Sequence, residues 1–255
     1  MLDSSDPMTP PNLAVIACDV LEEETRHFAR AMPHVRELIM LPQGLHKEPL
    51  RLQREVQLAI DRAEARPDIE AIALVYGLCS RGVENLRHAR CPLVIARAHD
   101  CVTLFLGSKE RYAAYAREHP DTYWYTPGWI KTGTQPGPDR AGYLRAFYAG
   151  KFDDDAIEYL VEMDREGLVN YHRAAYVDLG VGQTASGQAY TRHCAGCLGW
   201  SFDQVNGDAS LLRDLLAANW DASRFLVVPP HHLIRLTADD NIVEAVAPPA
   251  DSMGP

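Results

Sequence analysis

The strongest constraint on the fold is an apolar run over residues 69–76 that lies between two segments of helical spacing. The run hardly alternates polar with apolar residues, which is typical of a strand buried on both faces. Short apolar runs also occur at residues 13–18, 35–41 and 93–97. Repeated strand–helix–strand units with short connections predict an α/β fold, a three-layer sandwich with a mostly parallel, Rossmann-like sheet.

The rest of the chain carries further helix and strand signals. Asp19 and Asp100 are predicted to cap the helices that follow them, because their side chains accept hydrogen bonds from a first helical turn. The later predicted elements are a short helix over 81–89, a long helix over 101–118, a strand over 122–126, a helix from 153–155 to near Gly167, and strands over 173–179 and 224–228.

We infer the domain organisation from the length of the chain and from the absence of recognisable repeats and linkers in its sequence. A chain of 255 residues is long enough to bury a full core. The sequence shows neither an internal repeat nor a clear linker. We therefore expect one α/β domain over residues 13–247, with flexible tails at 1–12 and 248–255.

Charge and hydropathy exclude some classes of partner. The sequence has 35 acidic and 25 basic residues, a net charge of −10, which argues against nucleic-acid binding because phosphate contacts need a basic patch. Its apolar runs are far shorter than the ~20 residues of a membrane span, and the start lacks a basic n-region. We expect a cytoplasmic protein, in which six cysteines serve as free thiols, metal ligands or redox groups.

Three of these cysteines follow predicted strands. Cys18, Cys79 and Cys101 fall where β-strands give way to helices, and in open α/β sheets the carboxyl ends of the strands form the ligand-binding edge. A helix N-terminus favours thiolate, the form that binds metals and attacks electrophiles. Burial as small hydrophobes is the structural alternative. Cys91, before Pro92 at the start of a strand, is predicted to be inert and distant.

A zinc site is the first interpretation of this edge. Three thiolates with His46 or His99 would supply tetrahedral N/S ligands, and Asp100 or His99 would shuttle a proton. Three thiolates equally suit an iron–sulfur cluster with one open corner.

Other side chains are candidate substrate contacts at the same edge. Arg81 and Arg97 would clamp a carboxylate or phosphate, and Trp129 would form a pocket wall. Their structural alternatives are solvated surface for the arginines and core packing for the tryptophan.

Two motifs of the second half are independent of that edge. Cys194 and Cys197 have the spacing of a redox pair or half a zinc knuckle, whose alternative is two small residues opening a helix. A glycine-rich segment over 180–187 follows a strand but lacks the dinucleotide fingerprint, so an ordinary loop is favoured.

Several short motifs occur in a defined order along the chain. They are Ile16-Ala-Cys18, Gly44-Leu-His46, Tyr76-Gly-Leu-Cys79, His99-Asp-Cys101, Leu106-Gly-Ser108, Thr126-Pro-Gly-Trp129, Asn206-Gly-Asp208, and Trp220 before Phe225-Leu-Val-Val228. In this order they resemble an uncharacterised family, domain of unknown function 1638, over roughly residues 13–230. The resemblance implies a link to corrinoid-dependent methyl transfer and one-carbon metabolism, and it carries over Cys18, Cys79 and Cys101 with His46 as companion.

Four functions remain open on the sequence alone, one of which is redox chemistry at Cys194 and Cys197. The first is a zinc-dependent enzyme, a transferase of methyl or acyl groups or a hydrolase, acting on a small molecule or on a corrinoid methyl-transfer protein. The second is a non-catalytic protein that binds or delivers a metal, an iron–sulfur cluster or a corrinoid cofactor. The third is a metal-free enzyme with Cys101 as nucleophile and His99 as base.

Overall fold

The computed structural model describes residues 9–78, 81–132 and 135–248, and its architecture is mixed α/β. The chain divides into two compact units, one formed by residues 1–104 with 210–255 and one by residues 105–209. The single domain over residues 13–247 stays a prediction, and the tails predicted at 1–12 and 248–255 lie mostly outside the described residues.

Strands and helices alternate over much of the chain. The strands are β1 (Leu13–Cys18), β2 (Val35–Leu41), β3 (Ala71–Val75), β4 (Leu93–Ala96), β5 (Thr122–Tyr125), β6 (Arg173–Asp178), β7 (Ser201–Asn206), β8 (Phe225–Val228), β9 (Leu233–Leu236) and β10 (Val243–Val246). The α-helices are α1 (Glu22–Ala29), α2 (Pro49–Glu64), α3 (Cys101–Leu106), α4 (Lys109–Glu118), α5 (Pro127–Thr132), α6 (Arg140–Tyr148), α7 (Asp154–Gly167), α8 (Thr184–Leu198) and α9 (Ser210–Leu216). Two 3₁₀ segments cover Asp19–Leu21 and Gln43–Lys47.

The first unit is built on a five-stranded sheet with the order β2-β1-β3-β4-β8. Neighbouring strands are parallel except for β8, which runs antiparallel to β4. The prediction of a mostly parallel sheet is therefore confirmed, and β3 is interior as its uniform apolar run indicates. Every residue of β1, β3 and β4 is buried, so these strands form the core of the unit.

Helix α2 shows how the local pattern produces packing in this unit. Pro49 occupies its first turn, where a missing N–H costs nothing. The residues at helical spacing are buried, namely Leu52, Val56, Ala59, Ile60 and Ala63. The unit also contains an antiparallel hairpin of β9 and β10 that no sequence pattern identified above predicts.

The second unit has its own sheet, with the parallel order β5-β6-β7. Buried Tyr125 and Tyr176 pack with Cys194 in its core. Helix α7 begins and ends as predicted, because the Asp153 carboxylate accepts the backbone N–H of Ala156 at 2.8 Å and the helix stops at Gly167. Across the described residues, none of the helices is both long and apolar enough to cross a bilayer.

Two helix predictions are wrong. The long helix over 101–118 is broken into α3 and α4, because Gly107 adopts a φ of +81° and Ser108 caps the next helix by accepting the N–H of Arg111. The short helix over 81–89 does not form within its described residues. There Arg81 and Asn85 take positive φ values of 59° and 55°, which interrupt right-handed helix.

Candidate functional site

The carboxyl edge of the five-stranded sheet brings chain segments from three neighbouring strands together. Cys18 ends β1, Tyr76 and Gly77 follow β3, and the turn after β4 leads to Asp100. A Cβ atom at Gly77 would overlap the backbone of Asp100, so glycine permits this close approach. The backbone N–H of Leu78 also donates to the carbonyl of Ala98 at 3.1 Å. The segments after β3 and β4 are thus in direct contact.

Cys18 and His46 form the central pair of this edge. The Cys18 Sγ lies 3.3 Å from His46 Nε2. Cys18 is fully buried, whereas His46 is half-buried and belongs to the 3₁₀ segment after β2. The ring of buried Tyr76 stands 6.2 Å from the His46 ring, centroid to centroid. The predicted pairing of Cys18 with His46 is therefore a direct thiol–imidazole contact.

Asp19 has a different role from the predicted helix cap. The helix after β1 starts only at Glu22, with Leu21 as its N-cap residue and without a capping side chain. The Asp19 Oδ1 instead accepts the backbone N–H of Gln43 at 2.8 Å and lies 4.0 Å from the Cys18 Sγ. This carboxylate therefore connects the end of β1 to the segment that carries His46.

The charge of Asp19 is sensitive to this environment. Burial raises the pKa of Asp19 above its ordinary value, and the nearby charge of Glu22 adds to that shift. The hydrogen bond from Gln43 and the proximity of His46 oppose the shift because both favour the carboxylate. The Asp19 carboxyl is therefore subject to opposing effects, of which burial is the largest.

Cys101 lies where the sequence predicts it, at the start of α3 and buried. The Asp100 carboxylate accepts the backbone N–H of Thr103 at 3.2 Å, so its predicted capping role is confirmed. His99 is exposed. Strand β4 already ends at Ala96, so His99 and Cys101 do not share a strand face.

The structure describes only part of the predicted ligand set. Cys79 lies outside the described residues. Within the described ranges, no group of three His, Cys, Asp or Glu side chains has an arrangement that could hold a metal ion. Among the described residues, this edge therefore supplies the Cys18–His46 contact and no complete set of metal ligands.

The predicted substrate contacts have other surroundings. The guanidinium of Arg97 donates to the backbone carbonyls of Ala222, Asn241 and Val243 at 2.7–2.9 Å, which fixes the segments around β8 and β10. Arg81 is exposed, and its ion pair with Glu84 at 2.5 Å raises its pKa through the shared hydrogen bond. Trp129 is half-buried in α5 of the second unit.

The Cys194–Cys197 pair occupies the last turn of α8 rather than its opening. There the helix dipole disfavours thiolate, in contrast to redox motifs at helix N-termini. Burial raises the pKa of Cys194, although a hydrogen bond with Tyr190 opposes this. Cys197 is exposed, with its Sγ 3.8 Å from the His193 Nε2. Cys194 is therefore a core residue of the second unit.

Cys91 lies near the amino end of β4, at the sheet edge opposite Cys18. It is buried, and its thiol donates to the Ile69 carbonyl at 3.4 Å. Burial also raises its pKa, which keeps the thiol protonated. Its predicted position is confirmed.

A cavity of about 530 Å³ is lined in part by residues that shortly precede Cys91 in the sequence. None of the motifs identified above predicts it. Buried His88 lines it, with Nδ1 2.7 Å from the Cys91 carbonyl and Nε2 3.1 Å from the His232 carbonyl. The other lining residues are Asp61, Glu64, Asn85, Arg87, Ala89, His231, His232, Leu233 and Pro248. Groups of both charge signs line it, which leaves no preference for one class of ligand. The adjacent histidines His231 and His232 are the sequence feature that could have pointed to this cavity.

Comparisons with known proteins give one match. The model of the family described as "Protein of unknown function (DUF1638)" matches residues 40–216, more than half of the chain. The matched range contains His46, Cys79 and Cys101, whereas Cys18 precedes it. Neither a curated protein nor a solved structure matches the chain.

Proposed function

The chain belongs to the DUF1638 family of unknown function, and we propose that it is a metal-binding enzyme with a zinc ion at the carboxyl edge of its five-stranded sheet. Cys18 and His46 are two of the ligands, and Cys79 and Cys101 are candidates for the others. A position left open for a substrate would serve transfer of a methyl or acyl group, or hydrolysis.

The distance between the Cys18 Sγ and the His46 Nε2 carries this proposal. A sulfur and an imidazole nitrogen bound to one tetrahedral zinc, at about 2.3 and 2.0 Å, lie about 3.5 Å apart. The observed separation of 3.3 Å is close to that edge of a tetrahedron. The two atoms therefore have the spacing that two ligands of one zinc ion require.

The charges around the pair also support a cation. Ionisation of Cys18 would place a thiolate beside the Asp19 carboxylate, whose Oδ1 is 4.0 Å away. Two like charges at this distance are unfavourable in a partly buried site unless a cation accompanies them. Soft thiolate with imidazole favours zinc over hard cations such as magnesium.

The chemistry would follow from the metal and its surroundings. Bound zinc lowers the pKa of a coordinated water or substrate thiol, which makes it a nucleophile near neutral pH. Tyr76, buried against His46, supplies an aromatic wall to the site. We propose that the protein is cytoplasmic and has a three-layer, Rossmann-like fold. Its substrate would be a small molecule or a corrinoid methyl-transfer protein. If the site has no turnover, the protein would instead bind or deliver a metal or a cofactor.

A metal-free thiol enzyme is the second candidate, and the same contact favours it. A separation of 3.3 Å also suits a hydrogen bond from the Cys18 thiol to the imidazole. His46 would then accept the thiol proton, and the Cys18 thiolate would attack the carbonyl carbon of an acyl substrate, whose bond to the leaving group would break as that group takes the proton from His46. Cys18 and His46 replace Cys101 and His99 as the pair for this chemistry, because the Cys18 Sγ and the His46 Nε2 lie 3.3 Å apart.

Metal analysis of matched variants tests the proposal. The wild type, Cys18→Ser, His46→Gln and the control Cys91→Ser would be purified without chelator, and metal per chain would be measured by mass spectrometry. We expect about one zinc per chain in the wild type and in Cys91→Ser, and a loss of most of it in the two site variants. Circular dichroism would verify that all four proteins fold.

Equal zinc contents in Cys18→Ser and Cys91→Ser would contradict the proposed ligand. Protein free of metal after aerobic and anaerobic purification would favour the thiol enzyme. In that case alkylation of Cys18 should depend on His46, and His46→Gln should slow it at neutral pH.

A further inference from the structure

An exposed apolar surface lies on α6, α7 and the residues that join them, and we call residues 140–167 the α6–α7 face. Eight large hydrophobic residues are exposed among the described residues, and five of them fall between positions 147 and 169 of the second unit. Phe152 is 52% exposed, Tyr159 65% and Met163 48%. Such clustering marks an interaction site more often than scattered exposed residues do.

The aromatic part of this face is continuous. Ring centroids are 6.1 Å apart for Tyr143 and Phe147, 5.1 Å for Phe147 and Tyr148, and 5.8 Å for Tyr148 and Phe152. The Lys151 Nζ lies 3.7 Å from the Phe147 ring centroid. The face therefore already holds one ammonium group on an aromatic ring, which is a favourable cation–π contact.

The charges of the same face are predominantly acidic. Residues 140–167 contain seven acidic and four basic residues. The basic residues are engaged within the chain, in ion pairs of Arg140 with Asp164, Arg145 with Glu158 and Arg165 with Glu162, and in the contact of Lys151 with Phe147. Among the described residues, Asp154, Asp155 and Glu166 form no ion pair.

These carboxylates share the exposed side of α7 with its apolar residues. Asp155, Tyr159 and Met163 are spaced four residues apart, and Glu166 follows Met163 by three. Residues at these spacings are neighbours on a helix surface. An acidic rim therefore adjoins the exposed apolar side chains.

We propose that the α6–α7 face docks a basic amphipathic helix of a partner protein. The apolar side of such a helix would cover Phe152, Tyr159 and Met163, while its Lys and Arg residues would pair with the acidic rim. A second copy of this chain would bring two acidic faces together. An anionic membrane or nucleic acid would be repelled for the same reason.

Site-specific photocrosslinking tests this proposal on the full chain. A benzophenone amino acid would replace Tyr159 in one protein and Leu58, an exposed hydrophobic residue of the first unit, in the control. Both would be expressed in the native host, and crosslinked peptides would be identified. Affinity for the purified partner would then be measured for Tyr159→Ser with Met163→Ser and for Leu50→Ser with Leu58→Ser.

We expect crosslinks from position 159 alone, to a segment with apolar and basic residues at helical spacing. The double substitution at 159 and 163 should weaken binding by at least about tenfold, and the control by less than about twofold. Affinity should also fall as sodium chloride rises from about 0.05 to about 0.5 M. Unfolding curves should match the wild type, since the substituted side chains are exposed.

Other results would overturn the proposal. They are a crosslink to a second copy of the chain, equal crosslinks from positions 58 and 159, a partner segment without basic residues, or flotation with phosphatidylglycerol vesicles that the substitutions abolish. Binding that does not change with salt would exclude the acidic rim as a determinant.

Discussion

The Asp19 carboxylate accepts the backbone N–H of Gln43 across 2.8 Å, and this bond joins the end of β1 to the start of the 3₁₀ segment Gln43–Lys47 after β2. His46 lies three residues beyond Gln43, within the same segment. The hydrogen bond therefore fixes the segment that places the imidazole 3.3 Å from the Cys18 thiol. Asp19 is a positioning residue for the candidate metal ligands.

Loss of this acceptor should weaken zinc binding. Asp19→Ala removes the partner of the Gln43 N–H, and affinity should fall by about 10- to 100-fold, as is usual for groups that orient ligands. Asp19→Asn keeps an oxygen acceptor and should recover most of the affinity. Competition with a chromophoric zinc chelator would measure both. Equal affinities for Asp19→Ala and the wild type would exclude the positioning role.

Arg97 should matter for stability rather than for substrate binding. Its guanidinium donates to three backbone carbonyls, so Arg97→Ala should lower the free energy of unfolding by about 2 kcal/mol. The exposed Arg87 is the control, and Arg87→Ala should change that free energy by less than about 0.5 kcal/mol. Urea unfolding would measure both. An unchanged stability for Arg97→Ala would restore the clamp interpretation.

The thiols should differ strongly in reactivity. Cys197 is exposed, whereas Cys91 is buried with a raised pKa, so a thiol reagent should modify Cys197 first. Cys197→Ser should remove the fast phase in native protein, and Cys91 should react only on unfolding. Mass spectrometry of labelled peptides would follow each site. Faster labelling of Cys91 than of Cys197 would contradict its burial.

Glu64 should make stability depend on pH. Burial alone would raise its pKa, but hydrogen bonds from the backbone N–H groups of Cys91, Arg90 and Ala89 outweigh it, so the pKa lies below its usual 4.5. The stabilisation is therefore present above the pKa of the unfolded state and is lost as the pH falls through the lower folded value. Glu64→Gln should cost about 1 kcal/mol at pH 7, since part of the carboxylate is in solvent.

The difference between Glu64→Gln and the wild type should shrink as the pH falls from the unfolded-state pKa of Glu64 through its lower folded pKa, below which both proteins carry a neutral side chain. Urea unfolding across pH 3–7 would measure this difference. A difference that is constant with pH would mean that the Glu64 charge has no part in the stability.

The sequence was sufficient for the parts of the fold that depend on local pattern. The apolar β3 and its interior place, the position of Cys18 at a strand end and the Asp100 cap all follow from the burial pattern and helix-start chemistry. The single long helix predicted over 101–118 missed the break between α3 and α4, although Gly107 followed by Ser108 combines a helix stop with a helix cap.

Other features depend on tertiary contacts that no local pattern reports. Asp19 followed by three glutamates is typical of a helix start, but its carboxylate accepts from Gln43 instead. The spacing of Cys194 and Cys197 does not tell whether the pair opens or ends a helix, and the helix dipole has opposite effects on thiols at the two ends. The division into two units reflects long-range pairing of β5, β6 and β7, which the pattern of a single segment does not report.

X-ray absorption spectroscopy of the zinc-loaded protein tests the central claim most directly. A site formed by Cys18 and His46 predicts sulfur neighbours of zinc at about 2.3 Å and nitrogen neighbours at about 2.0 Å, with one sulfur fewer in Cys18→Ser and an unchanged spectrum in Cys91→Ser. A spectrum with only oxygen and nitrogen neighbours, or one that Cys18→Ser leaves unchanged, would contradict a metal centre at this edge of the sheet.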